Sequence, residues 1–357
     1  MITVILPTVN RPQMLRKALS SIDRQTEKRR ITNVIVSENG GNRQSEEICA
    51  EFPQIPINYL FRDPPVTAFD HGVSLLESLD NSSSPYVAIL HDDDWWGTNH
   101  IFNAFNELEK HPDAVAYWAS SYYMHGEASW IMHCWNMTSW VASGFAPMTE
   151  IARLDRKQAA LACVGSGPAH YSTLLARRKP LLAAADRVAK TANAHDSDRL
   201  FFLELARLGP LLLNLVPEVF IRQHPTQDQL SLSFEESNKH IAAATRLVLD
   251  FCKQEGIDII QEFSRLYQEC PVPELRRYLF GMFDRRVVAE LRRQNALPAE
   301  LSRQREGKAA WWVEQLSPPV CRAAAARIRE IMGRGRAASV SAFQPPGCDP
   351  SLILRNP

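Results

Sequence analysis

The apolar positions of the first ninety residues come in short blocks separated by amphipathic stretches. Thr3-Val4-Ile5-Leu6-Pro7 is a compact apolar run that reads as a short buried strand. From Arg11 to Ile22, the residues Met14, Leu15, Ala18, Leu19 and Ile22 recur at three- and four-residue intervals, which is one face of a helix. The alternation then repeats. A strand is expected at Asn33–Ser37, a turn at Glu38-Asn39-Gly40-Gly41 and a helix over Ser45–Glu51. A third strand follows at Ile57–Phe61, a helix over Asp70–Leu79 and a fourth strand at Tyr86–Leu90. Strands alternating with helices predict a parallel, doubly wound α/β sheet. Ligands of such sheets bind beyond the carboxyl ends of the strands. Chemistry is therefore expected at the loops opening at Thr8, Glu38 and His91.

Past Ala114 the pattern is less regular. Residues 114–148 are rich in aromatics (Tyr117, Trp118, Tyr122, Tyr123, Trp130, Trp135, Trp140) and read as strands and long loops. A strand is expected from Tyr171 to Ala176, a helix from Asp196 to Leu208, and strands at Leu211–Val216 and Val219–Arg222. From Phe234 the sequence turns helical and Arg-rich, which predicts a catalytic domain over residues 1–232 and a helical region over 233–336. The Ser-, Pro- and Gly-rich residues 337–357 read as a flexible tail.

Composition narrows the function classes. The 357 residues carry 40 Lys and Arg against 40 Asp and Glu, so the whole chain has no electrostatic reason to seek nucleic acid. No run approaches the ~20 apolar residues of a membrane span, and Met1-Ile2-Thr3 leads directly into the first strand, with no room for a signal peptide. Seven scattered cysteines without a CxxC pair suit reduced thiols in a cytoplasmic protein, against the alternative of a secreted disulfide framework.

The sharpest chemical signal is Asp92-Asp93-Asp94 at the end of the fourth strand. Adjacent carboxylates repel, so their clustering needs a cation or hydrogen bonds in compensation. Hard divalent cations such as Mg²⁺ or Mn²⁺ take such oxygen ligands, often with substrate phosphates. An acidic surface turn or a helix cap is the alternative.

Three segments in this order carry a resemblance: Val4 to Pro12, Ile35 to Gly40, and Leu90-His91-Asp92-Asp93-Asp94-Trp95. Together they resemble the opening of a family 2 glycosyltransferase with the GT-A fold, over roughly residues 2–232. The resemblance implies an inverting, metal-dependent enzyme moving a sugar from a nucleoside-diphosphate sugar to a hydroxyl acceptor. UDP is the favoured nucleotide, and the acceptor would be a glycan or glycoconjugate. It implies a donor pocket of Pro7, Thr8, Asn10, Arg11, Glu38, Asp70, Asp92 and Asp93. The metal, Mn²⁺ or Mg²⁺, would be held by Asp93 and Asp94, with His224 from the later Arg222-Gln223-His224 segment approaching the diphosphate. The sequence departs from the family pattern at three places: Glu38 stands where the family usually has Asp, His91 at the first acidic position, and Phe69 where an Arg is usual.

A second constellation, His195-Asp196-Ser197-Asp198-Arg199, is similar to the family's acidic pair ahead of a helix. It implies Asp198, or Asp196 two residues earlier, as the base that takes the acceptor's proton. Either could instead be a helix cap. The tryptophans from Trp95 to Trp140 are candidate sugar-stacking faces, although most aromatics in a globular chain are core. Loops between Ala142 and Gly167 are a candidate lid. The pairs Arg276-Arg277, Arg285-Arg286 and Arg292-Arg293 would suit an anionic membrane surface at the inner face, or simply a solvated helical face. The helical C-terminal third also offers a homodimer surface. Two rival readings are a sugar nucleotidyltransferase and a non-catalytic binding member of the same fold. The first is disfavoured because Thr8 to Pro12 has no glycine for a triphosphate-gripping loop.

Overall fold

In a computed structural model of the chain, the described residues are 1–79, 84–125, 128–131, 151–164, 170–191, 197–224 and 246–259, with single positions 243, 261, 262 and 265. The first strands are β1 (Ile2–Thr8), β2 (Ile31–Asn39), β3 (Ile57–Arg62) and β4 (Tyr86–Ile89). They lie side by side in the order β3-β2-β1-β4, all parallel. Thr8 stands opposite Glu38 and Ile5 opposite Ile89. The parallel register brings the ends of β1, β2 and β4 to one edge, so the three loops expected to carry chemistry open together.

Beyond β4 the sheet is mixed. It continues β4-β9-β6-β10-β5, with β9 (Leu174–Arg177), β6 (Ala116–His125), β10 (Leu211–Gln223) and the two-residue β5 (Trp95–Trp96). β9 runs antiparallel to both its neighbours, while β6 and β10 are parallel to each other. β7 (Ala128–Ile131) pairs with β6, and β8 (Ile151–Leu154) pairs with β10. Apolar patterning marks a strand as buried but carries no direction, which is why the order of these strands was not legible. The expected strand from Tyr171 begins instead as a 3₁₀ turn, Tyr171–Thr173, before β9. The two short strands expected after Leu211 are one strand, whose register shifts on either side of Pro217. Proline cannot donate to a ladder, so the shift falls where a bond would have been lost.

Among the described residues, the two faces are covered by α1 (Pro12–Asp23), α2 (Gln44–Ala50), α3 (Ala68–Glu77), α4 (His100–Lys110), α5 (Arg156–Val164), α6 (Arg178–Thr191) and α7 (Ser197–Leu208), with a further helical segment described below. α1 opens with proline at its first turn, where the missing N–H would be unsatisfied anyway. Its Leu15, Ala18, Leu19 and Ile22 are buried, as their spacing requires. Successive residues of the central strands feed opposite cores. Val4 and Leu6 pack with α1, α2 and α4, while Ile5, Val87 and Ile89 pack with α3, α5, α6 and α7. Burial on both faces explains the unbroken apolar runs.

The helical segment 246–254 joins the second of these cores through Val248, Phe251 and Cys252. Arg207 of α7 lies over the Phe251 ring at 4.9 Å, and Glu255 pairs with Arg156 at 2.8 Å and with Arg207 at 3.2 Å. Cys49, Cys163 and Cys252 are buried and unbridged, and burial pushes each thiol up to about 12. Among the described residues no helix is long and apolar enough to cross a membrane. The Arg pairs of 276–293 and the tail 337–357 lie outside the described residues.

Candidate donor and metal site

The acidic stretch leaves β4 at the centre of the carboxyl edge, and each carboxylate is drawn to a different neighbour. Asp92 accepts a 2.7 Å hydrogen bond from Thr8 Oγ1, at the end of β1. Arg11, one residue ahead of α1, directs Nη1 to Asp92 Oδ1 at 3.3 Å and to Asp93 Oδ2 at 3.4 Å. Asp93 Oδ2 also lies 2.9 Å from Nε2 of His224, the residue after β10. Asp94 turns the other way. Its Oδ2 accepts from Ser172 Oγ at 2.5 Å, and its Oδ1 accepts from the backbone N–H of Arg222 at 3.0 Å. Residues separated by more than 130 positions, Asp93 and His224, thus share one point.

All three carboxylates are buried, and burial sets them apart electrostatically. Asp92 is pushed up by desolvation and by the charge of Asp93. Asp94 is pushed up to about 7 by the same two causes. Burial also opposes ionisation of Asp93, but His91, His224 and Arg11 together outweigh it and hold its carboxyl below the usual range. The negative charge of the stretch therefore concentrates on Asp93. A carboxylate oxygen and an imidazole nitrogen converging at 2.9 Å form a donor set that a divalent cation accepts.

Glu38, at the end of β2, is fully buried. Its Oε2 accepts a 2.6 Å hydrogen bond from the Tyr59 hydroxyl, and its Oε1 is buried with no hydrogen-bond partner among the described residues. Gly41 lies against that free oxygen at φ +102°; a Cβ there would fall 3.0 Å from Glu38 Oε1 and 2.3 Å from Asn10 Oδ1. Asn10 is itself left-handed at φ +49°. The same edge is closed by the segment before α3. Asn39 donates to Val66 O at 2.7 Å and accepts from Val66 N at 3.0 Å. Thr67 caps α3, its hydroxyl accepting from the Asp70 backbone N–H and donating to the Asp70 carboxylate at 2.7 Å. Asp70 is thus an exposed capping residue at this edge. Beneath it, His71 is buried and hydrogen-bonds Ser37 at 2.8 Å; burial draws its imidazole down to about 4.

Asp198 lies in the first turn of α7 and is half-buried. One turn further on, Phe201 meets the Tyr171 ring at 5.5 Å, and Tyr171 meets the His91 ring at 5.9 Å. The start of α7 therefore abuts the segment that flanks the acidic stretch. Asp196 lies outside the described residues, as do Trp135, Trp140 and the candidate lid apart from 151–164. Trp96, Tyr117 and Trp118 are core residues, at most 3% exposed, and offer no face to a sugar. Trp95 is stacked on Phe220 at 5.4 Å, with the Arg222 guanidinium 5.1 Å from its ring.

Reading the sequence missed Tyr59, His170 and Ser172. Nothing in their local pattern sets them apart from strand and loop residues. Only the neighbours that the sheet brings to them reveal a role.

Comparison with known proteins agrees with this geometry. Residues 3–167 match the family model described as glycosyl transferase family 2. That segment, just under half of the chain, is what resembles the family. Glycosyltransferase GlyA of Streptococcus pneumoniae is 30% identical over 129 residues, which are 36% of this chain and 17% of GlyA. The chain thus spans about a sixth of that relative's length. Among solved structures, residues 1–349 of S. aureus TarS in complex with UDP-GlcNAc superpose with TM-score 0.51 at 11% identity, covering 88% of this chain and 79% of that one. The complex of the same protein with UDP gives 0.50 at 11% identity, covering 88% and 80%. At that identity the likeness establishes the shared fold, a mixed α/β sheet flanked by helices.

Proposed function

We propose that this chain transfers a sugar from a UDP-sugar to a hydroxyl group of a glycan or glycoconjugate, inverting the anomeric configuration. The observation that carries the reading is the buried acidic stretch at the carboxyl edge of the sheet, with Asp93 held between Arg11 and His224. Thr8, Asn10, Arg11, Glu38, Asp70 and Asp92, with Pro7 at the end of β1, form the donor wall. Glu38 has one oxygen committed to Tyr59 and one without a partner among the described residues. A single free acceptor matches the single N–H on the pairing edge of uracil. The complexes of TarS with UDP and UDP-GlcNAc support the same donor class.

Asp93 and His224 would hold the divalent cation, Mn²⁺ or Mg²⁺, with Asp94 behind them. Such a cation supplies charge neutralisation for the departing diphosphate. Arg11 adds a fixed positive charge beside the same carboxylates. Asp198, at the start of α7, takes the proton of the acceptor hydroxyl as its oxygen bonds to the anomeric carbon and the bond to the diphosphate breaks. Asp196 is the alternative base.

Thermal unfolding against a panel of nucleoside diphosphates, each with and without Mn²⁺, tests the reading. A ligand at a hundred times its dissociation constant adds about 2.7 kcal/mol to stability. UDP should stabilise most, chiefly with metal, and Asp93→Ala should abolish both that shift and turnover of a UDP-sugar. A wild-type protein indifferent to every diphosphate would sink the proposal.

A further inference from the structure

A second group of metal-ligating side chains lies beside the acidic stretch. His91, Asp94 and His170 each bring one ligand atom within 4.8 Å of the others. His170 Nδ1 is 3.7 Å from Asp94 Oδ2, and the two imidazole rings stand edge to face at 5.4 Å. The backbone N–H of Ser172 points at His170 Nδ1 from 3.3 Å. That nitrogen is therefore unprotonated, and a cation there would take over the lone pair that accepts from Ser172.

The surroundings hold the three ligands from behind. Ser172 is the hub: its hydroxyl donates to Asp94 Oδ2 at 2.5 Å and accepts from the His91 backbone N–H at 3.1 Å, and its carbonyl accepts from Trp96 Nε1 at 2.6 Å. Arg222 N–H fixes the other oxygen of Asp94. Outer hydrogen bonds of this kind orient ligands in metal sites. His91 and His170 are only half-buried, which leaves an open side for water or an anion, whereas Asp94 is 1% exposed.

We infer that His91, Asp94 and His170 form a cation site separate from the Asp93–His224 pair, selective for borderline transition metals such as Zn²⁺ or Co²⁺ over Mg²⁺. Two imidazoles and one carboxylate make the selection. Nitrogen donors favour these ions, while Mg²⁺ prefers an all-oxygen shell and gives up water reluctantly. The site needs no nucleotide. It ties the end of β4 to the turn that enters β9, at the flank of the acidic stretch.

The test is equilibrium dialysis of the chelator-stripped full chain against Zn²⁺ alone, without nucleotide, with Co²⁺ absorption as a second readout. The wild type should bind Zn²⁺ with a dissociation constant well below about 0.1 mM, and excess Mg²⁺ should not displace it. His91→Gln and His170→Gln should each weaken binding at least tenfold, and Ser172→Ala about tenfold through the loosened Asp94. His224→Gln should leave this ion bound. His170 is half-exposed, so its replacement spares the core; matching wild-type unfolding midpoints without metal would establish that. Two results would overturn the inference: a wild type that takes up no Zn²⁺, or a His224→Gln protein that takes up none. Mn²⁺-dependent UDP stabilisation, measured on the same variants, reports on Asp93–His224 separately, so either site can fail while the other stands.

Discussion

Glu218 of β10 is the residue whose removal should unsettle the fold most for one side chain. It is 7% exposed, and both carboxylate oxygens are saturated. Oε1 accepts from Asn103 at 2.5 Å and from Asn214 at 2.9 Å; Oε2 lies 3.0 Å from His100 Nδ1 and accepts from the Tyr117 hydroxyl at 2.9 Å. His100 and Tyr117 are fully buried, and Asn214 is 4% exposed. Hydrogen bonds to a charged group contribute about 1.5–3 kcal/mol each, but four bonds to one carboxylate are not additive. Glu218→Ala should therefore cost about 3–5 kcal/mol, the range for leaving the partners of a buried charge unpaired. Glu218→Gln should be milder, about 1–2 kcal/mol, because the Tyr117 hydroxyl can turn to accept from the new amide while His100 changes tautomer. With a urea slope of about 3 kcal/mol/M, the Ala variant's midpoint should fall by about 1–2 M. Urea unfolding followed by tryptophan fluorescence measures both. An Ala variant within about 1 kcal/mol of the wild type would refute the reasoning, since it would mean that the four donors find water or new partners at little cost.

Three further outcomes are expected. Gly41→Ala places a methyl group against Asn10 and Glu38 at a left-handed φ, so it should lower stability by about 1–2 kcal/mol and weaken UDP binding, read by calorimetry. His71 is held neutral down to about 4 in the folded protein but takes its proton near 6.5 when unfolded. The unfolded state therefore binds more protons between those values. Stability from this group is complete above pH 6.5 and falls as pH drops toward 4, by about 2 kcal/mol at pH 5; urea midpoints at pH 5 and 7 should show that slope in the wild type and lose it in His71→Gln. Finally, Asp198→Asn should lower kcat at least a hundredfold while leaving UDP affinity within about twofold, and an unchanged kcat would move the base to another residue.

Much of this protein was legible along the chain. The three-and-four spacing of Leu15, Leu19 and Ile22, the apolar runs at β1, β2 and β4, and the turn residues after Glu38 dictated an alternating α/β order. From that order alone the carboxyl ends of the strands become the place for chemistry, because parallel strands joined by helices must open their loops on one side. The acidic stretch was visible for the same local reason: three like charges at a strand end demand a partner. What remained invisible were partnerships between distant segments. Asp93 meets His224, and Asp94 meets Ser172 and His170, only because β10 and β9 insert beside β4, and periodicity fixes neither strand direction nor neighbour order. Burial then divided three chemically identical aspartates into one held ionised and two pushed toward protonation. It also placed Tyr117 and Trp118 in the core, away from any sugar. The sequence determined which residue types could bind a cation and where they sit on the chain. The tertiary structure decided which carboxylate carries the charge, because desolvation and the position of Arg11 and two histidines are properties of the packed sheet.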